Sequence, residues 1–175
     1  MKENKMTIAI LCYICISFIV ALMIVPAAQA GEKTVKYKVV ASITKMEVIP
    51  VPNMKGYLIG MLERRGVAIY ENGETAAYHS LVKFDIAKGQ GTWGAYVVLS
   101  YEDGSSTTSK AQGTSWGKKP HFIKGTSKYI EGTGRFEGIK GECSMDGKSV
   151  TPYTKDKTKG DAIFDVTSTY TLPKK

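Results

Sequence analysis

Beyond residue 30, apolar and polar side chains alternate with a period of two almost to the C-terminus, and no segment carries the spacing of an amphipathic helix. Val35, Tyr37, Val39, Ala41 and Ile43 alternate with Lys36, Lys38, Ser42 and Thr44, which predicts a first strand with one buried face. A second strand is expected from about Gly56 to Tyr70, bent at Gly66. Glu71-Asn72-Gly73-Glu74 then predicts a hairpin turn, because Asn-Gly tolerates the positive φ angles of a two-residue loop. In the next strand Ala76, Tyr78, Val82, Phe84 and Ile86 share one face, and His79 and Lys83 the other.

Gly89-Gln90-Gly91 ends that strand, and Trp93, Ala95, Val97, Leu99 and Tyr101 mark another that stops at Asp103-Gly104. Two strands follow, a polar one from Ser105 to Trp116 and one from His121 to Ile130. Ile139 to Met145 leads through a turn at Asp146-Gly147 into Lys148 to Tyr153. Ala162, Phe164, Val166, Tyr170 and Leu172 define the last strand. About eight strands with turns at short intervals imply a sandwich or a closed barrel. Long free edges invite aggregation, so the expectation is one all-β domain over residues 31–175, a single closed antiparallel barrel.

The start of the chain follows another pattern. Lys2 and Lys5 precede an apolar run from Thr7 to Val25, then Pro26 and Ala28-Gln29-Ala30, the layout of a secretory signal peptide over residues 1–30. The run is nearly long enough to cross a bilayer, but Pro26 breaks a helix just before the small-residue site. Cleavage after Ala30 is the expectation, giving a secreted or periplasmic product with no stable membrane anchor. Leu11 and Ile14 are too bulky for lipoprotein processing at Cys12 or Cys15. Cleavage would leave Cys143 as the sole cysteine and exclude an internal disulfide.

All 18 glycines lie beyond residue 30, in keeping with a turn-rich fold. A hydrophobic share of 43% and the lack of a Gly-X-Y period exclude disordered and collagen-like chains. The formal net charge is +8, and losing Lys2, Glu3 and Lys5 lowers it by one. Such a balance is compatible with an anionic partner, a lipid headgroup or a polysaccharide. The charges are spread over alternating positions as on a solvated surface, with density only at Lys155, Lys157 and Lys159 and at Lys174-Lys175. No basic-aromatic motif points to nucleic acid.

Several chemistries fall away. Gly89-Gln90-Gly91-Thr92-Trp93-Gly94 spells a dinucleotide fingerprint, but a strand follows where a phosphate-binding helix is required. His79 and His121 are the only histidines, and neither has metal-ligand spacing, so no metal or other cofactor is expected. No Gly-x-Ser-x-Gly elbow occurs.

The segment Glu131-Gly132-Thr133-Gly134-Arg135-Phe136-Glu137-Gly138-Ile139-Lys140-Gly141 carries a family resemblance. Gly-Thr-Gly-Arg-Phe resembles the late segment of plant dirigent proteins, and Gly-x-Phe-Glu-Gly-x-x-Gly is similar to the matching segment of allene oxide cyclases, which share the same barrel fold. The likeness extends loosely over Trp93 to Met145, and the chain resembles bacterial secreted proteins with an allene-oxide-cyclase-like or dirigent-like barrel domain. It implies an eight-stranded barrel whose mouth admits an apolar or aromatic ligand. Gly132, Gly134, Phe136, Gly138 and Gly141 would then be a structural motif: glycines for a tight crossing, Phe136 as a plug for a barrel end. In the plant cyclases a carboxylate and a positioned water act on the substrate, and in dirigent proteins acidic residues and tyrosine do. Those positions lie outside the matched segment.

Alternation supplies the pocket candidates, since barrel interiors take every second side chain. Tyr37, Tyr78, Trp93, Cys143, Phe164 and Tyr170 share faces with aliphatic neighbours and are candidate ligand contacts. Glu63 continues the Tyr57, Ile59, Met61 face; inside a barrel it would have a raised pKa suited to acid-base work, whereas at a strand exit it joins the Arg64-Arg65 surface cluster. Glu47 faces inward unless a bulge near Thr44 reverses the phase ahead of Met46 and Val48. The sequence thus describes an exported barrel that binds a hydrophobic or aromatic small molecule. Two alternatives stay open: an isomerase or cyclase using Glu47 or Glu63 with Tyr78, and a filled structural barrel acting through its surface or as a homo-oligomer.

Overall fold

The computed structural model describes residues 31–117, 120–151 and 160–174. Residues 1–30, on which the export signal was read, and the lysines at 155, 157 and 159 lie outside the described residues. The alternating pattern folds into β1 (Lys33–Pro50), β2 (Tyr57–Tyr70), β3 (Thr75–Ala87), β4 (Gln90–Tyr101), β5 (Ser106–Trp116), β6 (Phe122–Thr133), β7 (Lys140–Ser149) and β8 (Ala162–Thr171), with a 3-10 turn at Gly134–Phe136. Each strand pairs antiparallel with the next, and β1 pairs with β8, so the sheet closes into a barrel with no free edge.

Two local features differ from the simplest reading. The β2–β3 connection is a three-residue turn: Gly73 N–H donates to Tyr70 O at 3.0 Å, Tyr70 N–H donates to Glu74 O at 2.9 Å, and Gly73 alone takes positive φ, 85°. Asp146-Gly147 is no turn, for β7 runs straight through it, paired with β6 and β8. Gly147 serves packing instead, since a Cβ there would lie 2.2 Å from Phe164 Cδ1.

Half of the lumen is solid. The core gathers Tyr37, Val39, Leu99, Tyr101, Phe136, Cys143 and Val166, and the turn at 134–136 folds Phe136 under the barrel. The Phe136 ring lies 4.7 Å from the Tyr101 ring and 6.4 Å from the Tyr170 ring. Gly134 at φ 59° and Gly138 at φ 73° make this return possible, and a Cβ at Gly132 would meet Phe136 O at 2.1 Å. Gly141 lies against β8, where a Cβ would come 2.2 Å from Thr169 O.

Buried hydroxyls in this half are paired: Tyr70 with Tyr101 at 2.5 Å, and Tyr129 with Ser168 at 2.7 Å. Burial, more than any neighbouring charge, pushes the pKa of Tyr37, Tyr70 and Tyr129 upward. These phenols ionise more readily in the unfolded chain, so their stabilising effect is intact below about pH 10 and is lost as pH rises beyond it. In an alkaline titration their phenolate absorbance is expected to appear together with the loss of β-sheet circular dichroism, not ahead of it.

Candidate ligand-binding site

The other half of the lumen is open. Here a cavity of about 260 Å³, lined mainly by aliphatic and aromatic side chains, leads to the mouth, where β1–β2, β3–β4, β5–β6 and β7–β8 are connected. An apolar cavity of about 150 Å³ already accepts benzene, so this one has room for a small ligand. Leu58, Leu62, Val82, Phe84, Ile86, Trp93, Val97, Ile123 and Phe164 supply most of its wall. Trp93 lies across Gly113 and Gly125, register partners on β5 and β6, and its Nε1–H donates to Thr114 O at 3.1 Å. A Cβ on either glycine would come within 2.6 Å of the indole, so the paired glycines create the flat bed that the ring occupies.

Few polar groups interrupt this surface. Arg64, only 4% exposed, enters the lumen from β2; its Nη1 donates to Gly160 O at 2.8 Å and its guanidinium lies 5.9 Å from the centre of the Phe164 ring. Tyr78 is buried beside it, and burial raises the phenol pKa despite the opposing influence of the nearby Ser80 hydroxyl and the Arg64 charge, so it stays a neutral hydroxyl. Ser115 and His121 complete the polar set. His121 Nδ1 is 2.8 Å from Gly117 O; the carbonyl can only accept, so Nδ1 carries a proton.

Among the described residues no carboxylate lines the cavity, and no group of three or more His, Cys, Asp or Glu is placed to hold a metal ion. The two acids considered as lumen groups lie outside. A register shift between Ile43 and Lys45 reverses the phase of β1, sending Met46 and Val48 into the lumen and leaving Glu47 exposed, 3.5 Å from Lys45 Nζ. On β2 the inward set is Leu58, Leu62 and Arg64, so the Tyr57, Ile59, Met61 face that Glu63 continues is the outer one. Glu63 Oε1 there lies 2.8 Å from Arg65 Nε and 2.9 Å from His79 Nε2, and the Arg65 hydrogen bond holds its carboxyl below the usual range. Tyr78, Trp93 and Phe164 do line the cavity, whereas Tyr37, Cys143 and Tyr170 belong to the packed half.

With this geometry in hand, the chain can be set beside known proteins. No protein-family model matches it, and no curated protein does. Solved structures share its fold. A protein of unknown function from Clostridium acetobutylicum superposes with a TM-score of 0.56 at 9% identity, covering 81% of this chain and 97% of that one. A conserved protein of unknown function from Rhodopseudomonas palustris gives 0.53 at 10% identity, over 79% and 97%. A pterocarpan synthase dirigent protein gives 0.50 at 12% identity, over 84% of this chain and 99% of that one. The likeness is one of fold: this is a closed eight-stranded antiparallel barrel, a fold it shares with that dirigent protein.

Proposed function

We propose that the barrel binds a hydrophobic or aromatic small molecule in its open half. The observation that carries this reading is the mouth-connected cavity, whose wall is apolar apart from Arg64, Tyr78, Ser115 and His121. Aromatic and aliphatic side chains supply the area, and these few polar groups would orient a ligand's polar end. The resemblance of Glu131 to Gly141 to dirigent and cyclase segments agrees with a ligand-holding barrel. The working form is a binder, because Glu47 and Glu63, the acids that a cyclase reading required, point away from the lumen.

Titration with fluorescent fatty-acid and phenolic probes tests this directly. Saturable binding displaced by a non-fluorescent analogue is the expected result, and no binding by either class would dismiss the reading. Glu47→Gln and Glu63→Gln are expected to leave probe affinity within about twofold, since neither carboxylate faces the cavity. We further propose export, with residues 1–30 removed after Ala30. Mass spectrometry of protein recovered outside the cytoplasm should then give Gly31 as the N-terminus; a full-length product there would refute it.

A further inference from the structure

We propose that the mouth of the barrel docks on an anionic phospholipid bilayer, with Trp116 and Phe122 entering the headgroup region. Docking rests on features of the rim alone; only its purpose, passage of an apolar ligand between bilayer and lumen, rests on the ligand-binding reading.

Trp116 and Phe122 form the last cross-strand pair before the β5–β6 connection, their rings 5.8 Å apart and nearly parallel. They remain 40% and 39% exposed although each could have been polar at no cost to the lumen. Met54 on the β1–β2 connection and Val150 after β7 are also exposed at this end. Single exposed apolar residues mean little, but these lie at the end of the barrel toward which the apolar cavity opens. Indole and phenyl rings partition well into the headgroup layer, where an apolar body meets water.

Charge is divided along the barrel axis in the matching sense. At the mouth, Lys55 and Lys88 sit on two connections, and Lys148 is the register partner of Phe122. Of the acids nearby, Asp146 pairs with Lys124 and Glu47 lies beside Lys45, whereas Asp161, which bonds Ser42 and, at 2.9 Å, Thr151, and the exposed Asp85 keep their charge. On its turns the opposite end carries Glu71, Glu74, Glu102, Asp103 and Glu137 against Arg135, which is paired with Glu74 and Asp103, while Lys33, Lys140 and Lys174 lie at the adjoining strand ends and tail. The connections therefore favour approach of a negative surface by the mouth over the plugged end.

The test uses the full chain with a Trp93→Phe substitution, which leaves Trp116 as the only tryptophan. It is mixed with vesicles of phosphatidylcholine alone, or of phosphatidylcholine with phosphatidylglycerol, some carrying brominated acyl chains. Expected are a blue shift and quenching of Trp116 on the anionic vesicles, a much weaker response on neutral ones, and about a tenfold loss of partitioning with Lys55→Glu and Lys88→Glu combined. Attachment through residues 7–25 would act on neutral and anionic vesicles alike, so the lipid-charge dependence of the Trp116 signal and its loss with the lysine reversals set the two routes apart. If the Trp93 variant does not fold, the lipid-dependent signal of the unaltered protein should vanish with Trp116→Phe. Three results overturn the proposal: no Trp116 response to anionic vesicles, an equal response to neutral ones, or a response reproduced without lipid by self-association. Probe titration in lipid-free buffer tests the ligand reading separately.

Discussion

Gly113→Val is expected to lower the midpoint of thermal unfolding by about 10 °C, the effect of roughly 3 kcal/mol on a domain of this size. A Cβ at Gly113 would lie 2.0 Å from Lys124 O, 2.6 Å from the Trp93 ring and 2.7 Å from Gly125 Cα. Two of those atoms are backbone, so the β5–β6 ladder must part or the indole must leave its bed. Gly94→Ala is the natural control. Its Cβ would meet the flexible Lys83 side chain at 3.2 Å, and the cost should stay below about 1 kcal/mol. Thermal melts followed by circular dichroism read both variants. Equal stability of Gly113→Val and the unaltered protein would mean that Trp93 does not rest on the paired glycines.

Ala95→Phe is expected to weaken probe binding about 100-fold, or nearly 3 kcal/mol, while the barrel still folds. Ala95 lies on the cavity wall between Val82 and Ala111, and a larger side chain there projects into empty volume rather than into the packed half. Overpacking costs are small where a void exists to receive the added atoms. Fluorescence titration measures the affinity, and circular dichroism verifies the fold. An unchanged affinity would place the probe outside the lumen.

Much of this architecture was legible because barrel walls are written in a two-residue code. Val35 through Ile43, Ala76 through Ile86 and Ala162 through Tyr170 each announced an inward face that the structure retains. The phase of β2 was harder to read. Arg64 sits on the inward face, and a buried arginine among Leu58, Leu62 and Phe164 runs against what charge predicts. The Asn72-Gly73 turn, read as a two-residue loop, would pair Ile69 with Ala76 and turn Glu63 inward; the three-residue turn pairs Ala68 with Ala76, Gly66 with Tyr78 and Arg64 with Ser80 instead, so the inward phase of β3 brings Arg64 inside. The position of Glu47 turned on the irregularity at Thr44, which the phase of Met46 and Val48 suggested but the alternation up to Ile43 did not. Division of the lumen into a packed and an open half was invisible locally, because Tyr37 and Trp93 look alike as inward aromatics until strand tilt and stagger assign each to an end. His121 and Ser115 join the site only through closure of the barrel, and neither strand names them.

A crystal structure of the protein grown with a bound fatty-acid or phenolic probe tests the ligand site most directly. The probe is predicted to lie in the open half, its apolar body against Phe84, Trp93 and Phe164 and its polar end toward Arg64 and Tyr78. An empty or collapsed lumen, with the probe on the outer wall, would contradict ligand binding in the barrel.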